Sequence, residues 1–325
     1  MIRAILFAVW VSALALALPA QAQDPARAFP ARPVSIVVPF AAGGAIDVIG
    51  RLLSDRLSSV WKQPVLIVNR PGASGSIGAQ QVAGSPPDGH TILFASTGLL
   101  QNVVLFPTLQ IDPFRDFAPI SEIVTSPVAF VVGSQSPATT IAEYVAMVRG
   151  RPGQLSYGSF GAGTTSHIYG EQLKGVAKLD LTHVAYRGEA ALVPDVISGA
   201  LTGAFVSVAT AASTAKGGRI RVLAVTGSAP SKALPGVQTL QAQGLQGFEG
   251  IGWFGWFAPA ATPKALVEQI SRDVNQALTD PELVRRINAA GMDAVGTTPD
   301  EFATVMRADF ERWNRLIRQL GVKAE

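Results

Sequence analysis

The chain has 325 residues, a formal net charge of +3, 15% charged and 48% hydrophobic residues, and no Cys. High apolar content with low net charge excludes a disordered chain, and the lack of Cys excludes a disulfide scaffold and any thiolate metal or redox site. The 26 basic residues are nearly balanced by 23 acidic ones, and no Lys/Arg block marks a nucleic-acid footprint, so no nucleic-acid partner is expected.

Residues 1–22 read as a secretory signal peptide. Arg3 supplies the positive start, Ala4 to Leu18 is an apolar run, Pro19 breaks it, and Ala20-Gln21-Ala22 has the small-x-small form of a cleavage site. The run is shorter than the ~20 residues of a membrane span. An exported, soluble, periplasmic protein beginning near Gln23 is expected. A chain without thiols suits an oxidising compartment.

The next third alternates strand and helix. Val34 to Val38 is a strand, Ala41-Ala42-Gly43-Gly44 a turn, and Ile46, Ile49, Leu53, Leu57 and Val60 recur at helical spacing. Val65–Val68 is a second strand, a Gly/Ser-rich segment leads into a short helix, and Thr91–Ala95 is a third strand. A second series opens with the strand Val128–Val132 and a capping box, Thr140 with Glu143. Strands follow at 155–158, 181–186, 204–206 and 220–225. A Gly/Pro-punctuated linker spans 227–250, and the aromatic run Trp253 to Phe257 is expected to pack where two lobes meet. Helices starting at Thr262-Pro263, Asp280-Pro281 and Thr298-Pro299 close the chain. The pattern predicts an α/β protein of two doubly wound lobes. Residues 23–125 with 250–325 form one lobe, and 126–249 the other.

In an open α/β sheet, ligands sit at the carboxyl ends of strands beside helix starts. Two Gly-rich turns occupy such places. The first holds Phe40, Ala42, Gly43, Gly44 and Asp47; the second holds Ser159, Gly161, Gly163, Thr164, Thr165 and His167. Their backbone N–H groups suit a carboxylate. Asp47 reads as a helix cap, Ser74 and Gly75 lie in a Ser/Gly loop, Thr97 follows the third strand, and Arg187 ends another. His90, His167 and His183 are isolated in sequence and lack metal-ligand spacing, so no metal site is expected. Nothing matches a dinucleotide fingerprint, a P-loop or a nucleophile elbow, so neither cofactor nor catalytic residue is expected.

Several motifs together resemble the Bug, or tripartite tricarboxylate transporter substrate-binding, family. They are Pro39-Phe40 through Gly43-Gly44-Ala45-x-Asp47, Asn69-Arg70-Pro71-Gly72-Ala73, Pro87-Asp88-Gly89-x-Thr91, and Asp112-Pro113-x-x-Asp116-Phe117-x-Pro119. Leu155-x-Tyr157-Gly158-Ser159, Thr182-His183-Val184-x-Tyr186-Arg187-Gly188 and Trp253-Phe254-Gly255-x-Phe257-Ala258-Pro259 continue the series. The resemblance implies a type II periplasmic binding protein whose two lobes close on a small carboxylate by hinge motion. It implies delivery of that ligand to membrane transporter subunits by a monomeric carrier. A ligand-sensing module for a signalling system and a secreted α/β hydrolase are the alternatives. One stretch departs from the family pattern. No acid or Asn follows Ala204-Phe205, where Ser207 stands instead, and this favours a carboxylate without an amine.

Overall fold

The computed structural model describes residues 29–323. The expected signal peptide lies outside them. Among the described residues, eleven strands form two sheets. In the first, β1 (Val34–Val38) lies between β2 (Val65–Asn69) and β3 (Thr91–Ser96), all parallel. β10 (Gly252–Pro259) then pairs antiparallel with β3 and with β4 (Phe117–Ser126), and β11 (Asp293–Ala294) adds an edge. The second sheet runs β7 (Thr182–Ala185), β6 (Ser156–Ser159), β8 (Gly203–Ser207), β5 (Val128–Gly133), β9 (Ile220–Val225). Among these, β6, β7 and β8 are parallel.

The β1 sequence Val-Ser-Ile-Val-Val is buried along nearly its whole length, as expected for a strand covered by helices on both faces. One cover is α1 (Ala45–Trp61), which buries Ile46, Ile49, Leu53 and Leu57. The expected Val60 is 47% exposed, and Trp61 takes the inward place. Four residues beyond Leu57 is closer to a helical repeat than three at this end of the face.

β4 was not foreseen, because Pro119 argues against a strand interior. Pro119 stands opposite Phe257, beside a register shift, where a missing N–H is tolerated. The helices α2 (Ser76–Ala83) and α3 (Gly98–Leu105) follow in the first unit. In the second, α4 (Ile141–Arg149), α5 (Thr165–Ala177), α6 (Glu189–Ser198) and α7 (Val208–Lys216) cover the sheet. α8 (Lys264–Ala277), α9 (Pro281–Ala289) and α10 (Pro299–Leu320) end the chain. Two of the three expected cap–Pro starts form as read: Asp280 accepts from the N–H groups of Glu282 and Leu283, and Thr298 with Glu301 makes a full capping box. The third does not. α8 starts one residue late, with Pro263 itself at the cap, because the Pro263 carbonyl accepts the first helical bonds from Leu266 and Val267.

The chain crosses between the sheets twice, and the crossings lie side by side. Gly252 pairs with Ser126 at the end of the first sheet, while Thr226 N–H donates to the Val128 carbonyl (2.9 Å) at the start of the second. The expected linker at 227–250 is not loose: Leu240 and Phe248 are fully buried in the second core. α10 is a third tie. Its Phe302 and Met306 enter a core layer with β3 and β10 residues, and its Trp313 and Ile317 enter the second core. Trp253 Nε1 donates to Asp309 (2.7 Å), Arg312 pairs with Asp309 (2.8 Å), and Tyr169 Oη donates to the Gly250 carbonyl.

Glu122 on β4 is buried near this cluster. Burial, reinforced by the Asp309 carboxylate, pushes its carboxyl up to about 7. The folded chain therefore holds a proton that the unfolded chain releases in the ordinary carboxylate range. Stability falls as pH rises from there through about 7 and levels off above it. Glu122→Gln should stabilise the protein at pH 8 by about 3 kcal/mol, at 1.36 kcal/mol per pKa unit, with little gain at pH 4. Denaturant unfolding at both pH values checks this; an equal change at both would contradict it.

Candidate functional site

The parallel strands β1, β2 and β3 deliver the turn at 39–44, the loop at 70–75 and residues 97–98 to one edge of the first sheet. The parallel strands β6, β7 and β8 likewise deliver 160–164, 186–188 and Ser207 to one edge of the second. Gln101 on α3 donates from Nε2 to Thr165 Oγ1 (3.2 Å), tying the start of α5 to the helix that follows β3. The two groups of turns are thus joined across the sheets.

The two Gly-rich turns share one construction. In the first, Gly43 has φ +86° and precedes Gly44, the extended residue that caps α1 without any side-chain bond. Asp47, three residues into the helix, reaches back and accepts the Gly43 N–H (2.9 Å). In the second, Gly163 has φ +71° and precedes Thr164, again extended and again without a side-chain cap bond. Here His167 reaches back, and its Nδ1 accepts the Gly163 N–H (3.0 Å). Thr164 spends its hydroxyl on the Gly161 carbonyl (2.6 Å). The left-handed Gly aims its amide at the side chain four residues on. The amides of Gly43 and Gly163 are therefore bonded within the protein and are not unpaired donors. The first-turn N–H groups after them have no acceptor within the helix.

The remaining expected residues divide into two groups. Phe40, Ala42, Gly44 and Ser74 are exposed, and Gly75, Gly161, Thr164 and Thr165 are half-buried. Arg187 is exposed, and among the described residues it makes no ion pair. The others face inward. Thr97 is buried; its N–H donates to the Trp253 carbonyl (3.0 Å) and its Oγ1 accepts the Trp253 N–H (2.8 Å), so it fastens β10. Ser159 is fully buried, with Oγ bonded to the Gly161 carbonyl (3.1 Å) and to His183 Nε2 (2.8 Å). Asp47 is 2% exposed and holds Arg51 through both oxygens (3.0 Å each) and Asn69 Nδ2 (3.0 Å). Burial opposes its charge, but these donors hold the carboxyl below its ordinary range. It is not the helix cap expected of it, because Gly44 stands there.

Sequence reading missed three features. Gln101 carried no signal. His167 and His183, apparently isolated, stack at 3.8 Å with planes 7° apart. Finally, the strand end that lacks an acid in sequence receives one from elsewhere. Glu189 accepts from Ser207 N–H, Ser207 Oγ (2.8 Å) and Thr210 Oγ1. The missing acid therefore does not decide against an amine-bearing ligand. Its signal was its place directly after Tyr186-Arg187-Gly188. Among the described residues no group of three His, Asp or Glu could hold a metal.

The His pair ties the second turn to pH. His167 must keep its Nδ1 lone pair for Gly163, so its proton sits on Nε2. Burial, reinforced by the stacked His167 ring, pushes His183 down to about 4. The folded state resists protonation that the unfolded chain accepts near 6.5. Its stability is therefore full above that value and lost as pH falls toward about 4. His183→Phe keeps a ring on His167 and should flatten the loss of unfolding midpoint between pH 6.5 and 4. Parallel profiles for the two proteins would contradict this.

Comparison with known proteins bears on the arrangement as a whole. Residues 49–322 match the model of the tripartite tricarboxylate transporter family receptor. A Pseudomonas sp. (strain P51) protein encoded between tcbD and tcbE is 36% identical over 298 residues, 91% of this chain and 89% of its own. An R. palustris protein solved with adipate superposes with a TM-score of 0.82 at 30% identity. The periplasmic binding protein BugD superposes with 0.79 at 28%. Each match covers 91% of this chain and all of the solved one. The two-sheet architecture is therefore that of a two-lobed periplasmic binding protein, and the chain belongs to the tripartite tricarboxylate transporter receptor family, which includes the Bug proteins.

Proposed function

We propose that this receptor is exported to the periplasm and captures a small organic carboxylate between lobes formed by residues 29–125 with 250–323 and by 126–249. It then delivers the ligand, as a monomer, to transporter subunits of the tripartite tricarboxylate type. The observation that carries this reading is the uncapped start of α5. Its first turn holds no acid, and the hydroxyl of its cap residue Thr164 goes to the Gly161 carbonyl rather than to the helix amides. A carboxylate there meets aligned N–H donors and the positive end of the helix without any buried, unpaired cation. Exposed Arg187 on the same sheet edge supplies a charge that draws the anion in. The adipate held by the R. palustris relative agrees with a carboxylate ligand. The paired crossings beside Ser126 and Thr226 suit a hinge.

A proline substitution isolates the backbone donor. Thr165 is the first helical residue and follows an extended Thr164, so proline fits there without breaking the helix and removes one N–H. Thr165→Val removes only the hydroxyl. Calorimetric titration with adipate and hexanoate should show Thr165→Pro binding about 10- to 100-fold more weakly than Thr165→Val, the worth of one charge-assisted hydrogen bond of about 1.5–3 kcal/mol. Equal affinities would contradict the reading. Arg187→Ala should slow association and reduce its salt dependence more than it speeds dissociation. Stopped-flow binding at two ionic strengths measures this; an unchanged association rate would remove Arg187 from the site.

A further inference from the structure

The far end of the second sheet carries a hollow that the carboxylate reading does not use. It lies where α4 and α6 end and β8 begins, at the edge opposite the 160–164 turn. Its volume is about 200 Å³, Pro137, Met147, Ile197 and Leu201 supply apolar walls, and no Asp or Glu lines it. Its hydroxyls are engaged: Thr202 Oγ1 donates to the Ser156 carbonyl (2.8 Å), and Ser136 Oγ accepts the Ala138 N–H (3.3 Å).

Cations surround this hollow. Arg151 forms part of its wall, is exposed, and bonds through its side chain to no described residue. On one side Arg149 donates to the Ala177 carbonyl (2.8 Å), next to exposed Lys178. On the other, Arg221 donates to the Ser136 carbonyl (3.2 Å), and the Arg219 carbonyl accepts the Ser134 N–H (3.1 Å). Among the described residues the acids near this end are fewer, and two are committed, Glu143 to Thr139 and Asp195 to Tyr186. Asp180, beside Gly153, is the third. Arg149 stands in the last turn of α4, where it offsets the helix dipole. Arg151 lies past that turn and has no such duty.

An apolar hollow inside a charged rim has the anatomy of a protein interface. A free solute is poorly enclosed by it, since solute pockets usually start at about 300 Å³. One large side chain fits, and acids flanking that side chain would meet the rim. We propose that this end of the molecule docks an acidic segment of a partner protein, anchored by one large apolar residue in the hollow. The 13-residue α5 starts at the opposite edge of the sheet and ends here beside Arg149, so the two places lie about 20 Å apart. Docking therefore leaves the cleft free, and a loaded or empty receptor is held alike.

Two fluorescein-labelled peptides are the probes: Glu-Asp-Glu-Leu-Asp-Glu-Asp and the same peptide with Ser in place of Leu. In anisotropy titrations at low ionic strength the Leu peptide should bind about tenfold more tightly than the Ser peptide, the worth of one buried side chain. Its binding should weaken as salt is added. In spectra of ¹⁵N-labelled protein it should move the amides of Met147, Arg151, Ile197 and Gly199 and leave those of Thr165 and Ser166 in place. Combining Arg151→Glu with Lys178→Glu should weaken the Leu peptide about tenfold or more, with an unchanged unfolding midpoint showing that the variant is folded. Equal binding of the two peptides, equal binding by the variant, or shifts confined to the cleft would overturn the proposal. Binding to phosphatidylglycerol vesicles that the variant loses, with neither peptide bound, would also overturn it and assign the surface to lipid.

Discussion

One contact recurs at both helix starts: a side chain in the first helical turn bends back to take the N–H of the glycine just before the cap. Asp47 does this for Gly43 and His167 for Gly163. The usual capping arrangement spends a cap side chain on the helix amides. Here the cap residues, Gly44 and Thr164, leave them alone. Rigidity of the turn and availability of the amides are obtained together, because the bond that fixes the turn comes from behind it. The two versions differ in charge. The Asp47 version is anionic and surrounded by Arg51 and Asn69; the His167 version is neutral and stacked on His183.

The rest of the fold holds these turns in register. Each lies at the carboxyl edge of a parallel set of strands, and each set is completed by antiparallel strands that carry the chain between sheets. Trp253 binds this seam from both sides. Its backbone is held by Thr97, and its indole by Asp309 on the helix that enters both cores. In the proposed closure, bending falls where the chain passes from Ser126 to Val128, since the segment returning to Gly252 packs Leu240 and Phe248 into the second core.

Much of this was legible in the chain. Runs of β-branched residues marked β1, β2, β3, β5 and β9, and cap–Pro pairs placed α9 and α10. β4 stayed hidden because local chemistry argued against it; Pro119 is accommodated only by pairing with a strand some 140 residues away. The cleft-edge turns were visible from glycine spacing, but the direction of each amide was not. That depends on whether a side chain four residues on turns back, which is a tertiary choice made through Asn69, Arg51 and His183. The same holds for Glu189. Its place after Tyr186-Arg187-Gly188 puts it near a strand end, but only the parallel order of β7, β6 and β8 brings α6 to the end of β8 and places an acid where the linear chain has none.

The central claim is that the first-turn amides of α5 receive the ligand carboxylate directly or through water. Amide chemical shifts of ¹⁵N-labelled protein, titrated with hexanoate, test this at single-residue resolution. The account predicts saturable downfield shifts and slowed hydrogen exchange at Thr165 and Ser166, with the Gly163 amide little changed because its partner is internal. Saturable binding that leaves these two amides unmoved and perturbs other residues alone would contradict it.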